Sequence, residues 1–477
     1  MILLLMFFLS ILKVYNMSVT ILGAGLAGLS VAHHLNEKYE VYEKNGYAGG
    51  HIHSEYINGF TWDEGPHVSF TTNEYVKRFF EYNTDGDILE YPVKTGNYFK
   101  GVWIPHPAQS NLFAVPQPLR DKCLKDFKDT KEKYPDVFQP KDYAEWLDFS
   151  LGNTFAETFP AAYTRKYWTT SPKNLTTDWV GDRVFRPDVK QIEQGYFSPL
   201  QEETHYIKKI RYPNSGGYIS FAKKMIQNTA IKFNHELLFV DFTKKSLLFT
   251  NGVKLNYEKL ISTIPLPLLI SKSNAPDYVK NASSELSCTS VLLINVTANH
   301  ITQRPENWIY VYDEDKYSTR INCTELLSPN NAPIGKSGIQ VEVYFSNYKQ
   351  FKNNHNDIVG SVTDELVEMG ILKSKHSIEA THTKWVQWAN VIFDHKREEA
   401  QNVIFEWLEQ VGLIREEDDL SPMTDWKSKL TQKKALGSLI LAGRFSQWKY
   451  YWTDDCVLRG YYIGYILNEK KSIKEVY

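Results

Sequence analysis

A glycine-rich turn close to the start of the chain constrains the fold more than any other feature of the sequence. A β-rich run, Ser18 to Leu22, precedes the turn, and a helical pattern follows it. A second predicted strand, Tyr39 to Tyr42, then ends on Glu43. The turn has the spacing G-x-G-x-x-G, and its glycines are Gly23, Gly25 and Gly28.

Each part of this βαβ unit suits the binding of a dinucleotide. Gly23 permits the tight turn, Gly25 allows the backbone to approach a pyrophosphate, and Gly28 lets the helix pack closely on the strand. The helix N-terminus offers N–H groups and a positive dipole end to the phosphates. Glu43, about 20 residues beyond the first glycine, is placed to hold the ribose hydroxyls. We therefore predict a Rossmann-type nucleotide-binding domain.

The residues after Glu43 indicate which dinucleotide is bound. The segment Lys44 to Ser54 contains a second glycine pair, Gly49 and Gly50, and resembles the continuation found in the amine-oxidase-like FAD superfamily. In that superfamily the second glycine segment also lies against the cofactor. The resemblance therefore implies FAD, and it adds Lys44 and the glycine pair to the cofactor-binding candidates.

Length and composition exclude several classes of protein. A chain of 477 residues predicts two or three domains, since one domain usually takes about 100 to 200 residues. The 54 basic and 56 acidic residues balance, so no nucleic-acid partner is expected. The four cysteines form no Cys-x-x-Cys pair, which argues against a zinc site and a disulfide framework and favours a reducing, cytoplasmic location.

The first 16 residues form a separate question. Met1 to Leu12 is strongly apolar, but it is shorter than the roughly 20 residues that span a bilayer. It also lacks a basic start and a small-residue cleavage site. We interpret residues 1–16 as an apolar extension, either translated or lying upstream of a second start at Met17, and expect no stable membrane insertion.

The rest of the chain alternates between segments with the pattern of a nucleotide-binding domain and segments with other patterns. Asn58-Gly59 predicts a hairpin turn, and Lys259 to Ile264 predicts a buried strand that Pro265 ends. We expect an α/β fold in which a Rossmann-type FAD domain is interleaved with a mixed α+β substrate domain. The FAD domain is predicted at residues 17–105, 211–288 and 391–477, and the substrate-binding regions at 106–210 and 289–390.

Six patches in one order resemble a known family, flavin-dependent UDP-galactopyranose mutase, and the protoporphyrinogen-oxidase-like proteins around it. The resemblance runs from about Val19 to the last predicted helix. The patches are Gly65 to Phe70, Ile104 to Gln109, Tyr163 to Val184, Tyr212 to Gly217, Tyr317 to Arg320 and Gly443 to Tyr450.

The resemblance implies an unusual chemistry. In this family N5 of reduced FAD attacks the anomeric carbon of UDP-galactose, UDP leaves, and the sugar ring opens and recloses on another hydroxyl. No net oxidation occurs, although NAD(P)H or another reductant has to reduce the flavin first. The product supplies furanose units to a glycan or cell wall. Partners implied are a UDP-sugar or related small molecule, and an oligomer is possible.

The family's functional positions can be carried over to this sequence. Arg183 and Arg320 match the two arginines that bind the pyrophosphate, where a permanent charge and forked donors suit a departing diphosphate. His67 matches the histidine beside the flavin, so these three are the catalytic candidates. Val240 and Arg444 match cofactor-binding positions. Candidates for substrate binding are His106, Gln109, Tyr163, Trp168 and Tyr450.

Departures from the family pattern leave alternatives open. Asp454 and Asp455 stand where the family commonly has amides near the pyrophosphate, and two carboxylates there would repel it unless neutral, turned away or paired. His106 replaces a frequent tyrosine and Thr164 a frequent asparagine. The alternatives to a mutase are an oxidoreductase of the amine oxidase or protoporphyrinogen oxidase type, and a flavin-containing binding protein without turnover.

Overall fold

The computed structural model describes residues 17–134, 138–181, 184–200, 207–351, 354–431 and 435–468. Residues 1–16 and Arg183 therefore lie outside the described residues. The chain divides into two compact units. Unit 1 contains residues 1–51, 222–286 and 398–477, and unit 2 contains residues 52–221 and 287–397.

The strands are numbered in chain order. They are β1 (Met17–Leu22), β2 (Tyr39–Tyr42), β3 (Ser54–Ile57), β4 (Phe60–Asp63), β5 (Ile88–Pro92), β6 (Thr95–Phe99), β7 (Val102–Pro105), β8 (Lys209–Pro213), β9 (Ile231–Lys232), β10 (Leu237–Asp241), β11 (Ser246–Phe249), β12 (Lys254–Ser262), β13 (Cys288–Ala298), β14 (Trp308–Val311), β15 (Arg320–Cys323), β16 (Ser337–Phe345), β17 (Ile378–Val391) and β18 (Leu439–Leu441).

The α-helices are numbered in the same way. They are α1 (Leu26–His34), α2 (Glu74–Asn83), α3 (Leu119–Lys133), α4 (Tyr143–Leu151), α5 (Asn153–Thr158), α6 (Pro160–Tyr167), α7 (Val189–Phe197), α8 (Lys223–Asn228), α9 (Leu266–Ser271), α10 (Asp277–Ser284), α11 (His355–Glu368), α12 (Arg397–Gln410), α13 (Trp426–Lys429), α14 (Arg444–Gln447) and α15 (Thr453–Leu467).

Unit 1 is built on a sheet with a parallel centre. Its strands lie in the order β10-β11-β12-β1-β2-β9, and β18 pairs with β12. β12, β1, β2 and β9 are parallel, and Ile21 of β1 lies between Val41 of β2 and Ile261 of β12. All three side chains are completely buried, as expected for a parallel sheet covered on both faces. β1, α1 and β2 thus form the predicted βαβ unit.

Helices α1 and α15 pack against each other at very short range. A β-carbon on Gly460 would lie 2.2 Å from Oγ of Ser30, and one on Gly464 would lie 2.6 Å from the carbonyl oxygen of His34. The hydroxyl of Ser30 donates to the carbonyl of Val457 at 2.8 Å. Glycine at both positions lets the two helix backbones approach, so the last described helix holds the helix of the glycine turn.

Unit 2 is built on a second sheet whose two faces differ in polarity. Its strand order is β17-β13-β16-β15-β14-β6-β7, antiparallel except between β14 and β6. One face packs on α11 through aliphatic side chains such as Ile294, Val341 and Leu366. The opposite face carries buried polar side chains, among which are Asn295, Asn322, Gln340 and Glu342. Polar groups in so buried a position are suited to a binding site or an internal network.

The α/β fold class predicted from the sequence is confirmed, and the boundaries differ in places. Asn58 and Gly59 have φ of 51° and 88° and connect β3 to β4 as predicted. The last described helix begins at Thr453. Residues 52–105 lie in unit 2, because β6 and β7 extend its sheet. Within the described ranges, no helix is long and apolar enough to cross a membrane.

Candidate functional site

Each of the three positions in the nucleotide turn is glycine for a different structural reason. Gly23 has φ of +97°, and a β-carbon there would lie 2.3 Å from Oγ1 of Thr263. A β-carbon on Gly28 would lie 2.0 Å from the carbonyl oxygen of Gly23, so the turn itself excludes a side chain. A β-carbon on Gly25, by contrast, would have only ordinary contacts, with Cα of Gly50 at 3.8 Å and the carbonyl oxygen of Gly49 at 4.0 Å. Packing among these residues therefore does not itself require glycine at position 25, which is consistent with the close approach of a ligand to the turn.

Glu43 joins the end of β2 to this turn. Its Oε2 accepts a hydrogen bond from the N–H of Ala24 at 2.8 Å, and its Oε1 accepts one from the N–H of Asn45 at 2.9 Å. Each carboxylate oxygen can accept more than one hydrogen bond, so the side chain can hold the turn and still accept from ribose hydroxyls. Lys44, the next candidate, is exposed.

The second glycine pair lies directly against the first turn. The N–H of Gly49 donates to the carbonyl of Ala24 at 2.8 Å. Gly50 has φ of +55°, and its β-carbon would lie 3.0 Å from Cα of Gly25. Among the described residues, no side chain caps the N-terminus of α1, which begins at Leu26. The glycine backbone and the uncapped helix N-terminus together fit the pyrophosphate of a dinucleotide.

The two remaining cofactor candidates occupy other parts of unit 1. Val240 is completely buried in β10, where its N–H donates to the carbonyl of Lys272. Arg444 follows Gly443, whose β-carbon would lie 2.9 Å from Cβ of Ala27, so this segment lies against α1. Nε of Arg444 donates to the carbonyl of Tyr451 at 2.6 Å, which orients its side chain.

Tyr450 and Asp455 lie close together in sequence but have different surroundings. The N–H of Tyr450 donates to the carbonyl of Pro422, and its ring centre is 6.4 Å from that of Trp452. Asp455 accepts from the N–H of Trp452 and from Nε1 of Trp426, both at 2.7 Å. Its carboxylate therefore caps α15 and is paired, which was one of the conditions for tolerating a carboxylate in this segment.

In unit 2, Arg320 is fixed by Glu342 on the neighbouring strand. The two residues lie directly opposite each other in the β15–β16 ladder. Nε donates to Oε2 at 2.5 Å and Nη2 donates to Oε1 at 2.8 Å, a fork-to-fork geometry. In the part of the chain that the structure describes, Nη1 of Arg320 has no hydrogen-bond partner. The guanidinium is thus held in one orientation, and its Nη1 remains available to donate to a ligand.

Tyr310 contacts two of the candidate substrate residues, His106 and Tyr163. It is opposite Arg320 in the β14–β15 ladder and opposite Asn97 in the β14–β6 ladder. Its ring centre is 5.0 Å from that of His106 and 5.3 Å from that of Tyr163. Neither Tyr310 nor Glu342 is among the site residues predicted from the sequence. The alternation of polar and apolar residues in Ile339 to Phe345 was the signal that could have identified Glu342.

Tyr163 brings a buried phenol to this cluster. Its hydroxyl oxygen is inaccessible to solvent and has no hydrogen-bond partner among the described residues. Burial raises the pKa of Tyr163 well above its ordinary value, although the charge of Arg320 opposes the rise. The ring stacks on Tyr167 at 5.5 Å. A buried hydroxyl without a partner is costly to leave unsatisfied, so Tyr163 contributes an unsatisfied donor to this aromatic cluster.

The other predicted substrate residues lie in different surroundings. Nδ1 of His106 is 3.0 Å from Oδ1 of Asn97 and donates to it, which orients the imidazole. Gln109 is buried, and its Nε2 donates to the carbonyl of Phe185 at 2.8 Å. Trp168 lies in an aromatic cluster with Trp179, at 5.1 Å between ring centres, and is almost completely buried.

His67 lies in a loop that approaches the Arg320 pair. Nδ1 of His67 donates to the carbonyl of Gly65 at 3.1 Å, and its ring centre is 5.4 Å from that of Tyr218. Gly65 has φ of +83°, and a β-carbon there would lie 2.8 Å from Oε1 of Glu342. Unit 2 therefore brings the His67 loop next to the carboxylate that holds Arg320.

Comparison with known proteins identifies the class. The family described as flavin containing amine oxidoreductase matches residues 26–461, and the chain belongs to that family. It is a flavoenzyme, and its cofactor is FAD. The glycine turn, the uncapped start of α1 and Glu43 fit that cofactor.

Solved structures with the same fold include enzymes of different activity. A reduced UDP-galactopyranose mutase matches with a TM-score of 0.84 at 20% identity, over 96% of this chain and 97% of the other. A putative protoporphyrinogen oxidase from Exiguobacterium sp. 255-15 matches with a TM-score of 0.68 at 12% identity, over 96% and 100%. A putrescine oxidase bound to putrescine gives 0.59 at 11% identity, over 95% and 99%. At these identities the likeness shows the fold.

Proposed function

We propose that the protein is a mutase of a nucleotide-linked hexose, which interconverts the pyranose and furanose forms of the sugar with reduced FAD. One observation supports this most strongly: Glu342 fixes the guanidinium of Arg320 and leaves Nη1 as a donor edge. A fixed donor of positive charge suits a diphosphate that leaves as an anion and has to be held for recapture. An amine substrate, itself a cation, gains nothing from such a donor edge.

The aromatic surroundings of Arg320 also suit a sugar nucleotide. Tyr163 and Tyr310 offer flat faces against which a sugar or a base can pack, and their hydroxyls can hydrogen-bond to it. His106 is oriented by Asn97 beside the same rings. In this proposal Arg320 and Arg183 hold the diphosphate, while His106, Gln109, Tyr163, Trp168 and Tyr450 bind the rest of the substrate.

The flavin and the chain have separate tasks in the proposed reaction. When bound, reduced FAD would supply the nucleophile for displacement of the diphosphate from the anomeric carbon. The glycine turn and Glu43 would hold the cofactor. His67, in the loop held next to Glu342, would support the cofactor, and the arginines would stabilise the charge that develops on the leaving diphosphate.

A second candidate is an oxidoreductase that takes hydride from an amine or a ring and passes electrons to oxygen. The family match favours it, because the family is described by that chemistry. The two candidates differ in the fate of the flavin. A mutase needs reduced flavin and leaves it reduced after many turnovers, whereas an oxidase oxidises its substrate and consumes oxygen.

The deciding experiment is anaerobic incubation of the dithionite-reduced holoenzyme with UDP-galactose and a panel of other UDP-sugars. We expect a furanose product, no activity with oxidised flavin, and flavin that remains reduced at the end. Oxygen uptake with an amine, together with no isomerised product from any UDP-sugar, would replace the mutase with the oxidoreductase.

A further inference from the structure

The loop that precedes Arg320 helps to fix the position of this arginine at the start of its strand. Residues 312–319 connect β14 to β15, and Arg320 is the first residue of β15. The two strands have four residues each and pair at two positions, Ile309 with Ile321 and Tyr310 with Arg320. On its other edge β15 pairs with β16 at four positions, which hold Arg320 opposite Glu342, so the short ladder with β14 is the less firmly fixed edge. The contacts of the loop therefore matter for the arginine.

Lys166 of α6 holds the loop from one side. Its Nζ donates to the main-chain carbonyls of Val311 at 3.0 Å, Asp313 at 2.6 Å and Ser318 at 2.7 Å. These acceptors use all three N–H groups of the ammonium. Val311 ends β14 and Ser318 lies two residues before Arg320, so one buried lysine ties the two ends of the loop together.

Glu365 of α11 holds the same loop from the other side. Its Oε1 accepts from the N–H of Tyr317 at 2.7 Å. Its Oε2 accepts from the N–H of Ser318 at 2.9 Å and from the Ser318 hydroxyl at 2.6 Å. Ser318 is completely buried and is thus bonded at its carbonyl by Lys166 and at its N–H and hydroxyl by Glu365.

Helix α6 also carries a wall of the candidate substrate site. Tyr163 lies about one turn before Lys166, and its ring packs on Tyr310, the residue opposite Arg320. A displacement of Lys166 relative to the loop would therefore separate the phenols of α6 from the guanidinium of β15.

We propose that Lys166 and Glu365 are positioning residues for Arg320. They fix loop 312–319 so that the guanidinium meets the diphosphate in one orientation, and neither contacts the substrate. The proposal rests on the proposed function, since it assigns Arg320 to diphosphate binding. A small displacement of the guanidinium would weaken diphosphate binding strongly, because the site holds its charged group in the binding geometry before the ligand arrives.

The test compares Lys166→Met and Glu365→Gln with Arg165→Met in the FAD-bound protein, by titration with UDP. Arg165 is the matched control: it immediately precedes Lys166 in α6, and it pairs with Glu314 of the same loop through an exposed bidentate contact. We expect UDP to bind about threefold to tenfold more weakly to the first two variants and normally to Arg165→Met. FAD content should not change in any of them. Equal affinities in all three variants would overturn the proposal.

A double-mutant cycle separates positioning from general damage. In an Arg320→Ala background, Lys166→Met and Glu365→Gln should cause no further loss of UDP affinity, because they act through the missing guanidinium. If these substitutions weakened UDP binding in the Arg320→Ala background as much as they do in the wild type, the proposal would be overturned. If Lys166→Met does not fold, Glu365→Gln carries the same test. Wild-type protein that binds no UDP would overturn the proposed function itself, and this inference with it.

Discussion

Glu416 accepts two hydrogen bonds from the guanidinium of Arg459, at 2.9 Å from Nη1 and 2.6 Å from Nη2. Lys429 contacts the same carboxylate, and all three side chains are almost completely buried. Burial raises the pKa of Glu416, but the charges of Arg459 and Lys429 more than offset this and lower the pKa from 4.5 to about 2. The pair fastens the segment after α12 to α15.

Stability in acid should depend on this pair. A carboxylate whose pKa is depressed by folding stabilises the protein fully above pH 4.5, and the contribution is lost as the pH falls from 4.5 towards 2. A shift of this size corresponds to about 3 kcal/mol. We expect Glu416→Gln to lower the free energy of unfolding at pH 7 and to flatten its fall between pH 5 and 3, measured by urea unfolding. Glu409→Gln, at an exposed position of α12, should show the same pH dependence of the unfolding free energy as the wild type. If Glu416→Gln also showed the wild-type pH dependence, the stabilising role of Glu416 would be contradicted.

The glycines of the nucleotide turn should separate cofactor binding from folding. Gly25→Val should abolish FAD binding while the apoprotein unfolds at nearly the wild-type temperature, because a β-carbon there has only ordinary protein contacts but would keep a pyrophosphate from approaching the turn. Gly28→Val should lower the unfolding temperature of the apoprotein itself, since its β-carbon collides with the carbonyl of Gly23. The measurements are flavin absorbance and thermal denaturation. Equal FAD binding by wild type and Gly25→Val would refute the assigned site.

Loss of Arg320 should affect UDP and not FAD. A charge-assisted hydrogen bond contributes on the order of 1.5 to 3 kcal/mol, so Arg320→Ala should weaken UDP binding roughly tenfold to a hundredfold. The same is expected for Arg183→Ala. Because Arg320→Ala leaves Glu342 buried without its partner, the double variant Arg320→Ala/Glu342→Gln is the control for lost stability. Normal UDP affinity in both single arginine variants would remove the diphosphate site.

Asp455 should act on stability and not on the substrate. Its carboxylate caps α15 and accepts from the indole of Trp426, so Asp455→Ala should cost about 1 to 2 kcal/mol of unfolding free energy. Asp455→Asn should leave UDP affinity unchanged. Tighter UDP binding by Asp455→Asn would instead indicate that the carboxylate faces the diphosphate, and Asp454→Asn provides the comparison at the neighbouring position.

Local geometry was predictable from the sequence where one residue type decides it. The turn at Gly23, the hairpin at Asn58-Gly59 and helix α3 follow from glycine conformation and periodicity, which act over a few residues. The roles of Glu342 and Tyr310 were not predictable in this way. Each depends on which strands become neighbours in the sheet of unit 2, and β14 pairs with β6, more than 200 residues earlier.

The side chains that hold loop 312–319 illustrate the same limit. A lysine in α6 is usually exposed, and nothing in its sequence context distinguishes Lys166 from Arg165. Only the packing of α6 on the loop shows the difference. Lys166 is buried and donates to three carbonyls, whereas Arg165 forms an exposed ion pair. Residues that position a site through the backbone therefore have to be found in the structure.

The close packing of α1 on α15 has a consequence for the order in which the protein matures. Ser30 and Val457, whose hydrogen bond joins the two helices, are 427 positions apart. The glycine turn therefore leaves the ribosome long before the helix that supports it. The cofactor should be captured only after α15 has been released, so premature termination before Thr453 should give a protein without flavin.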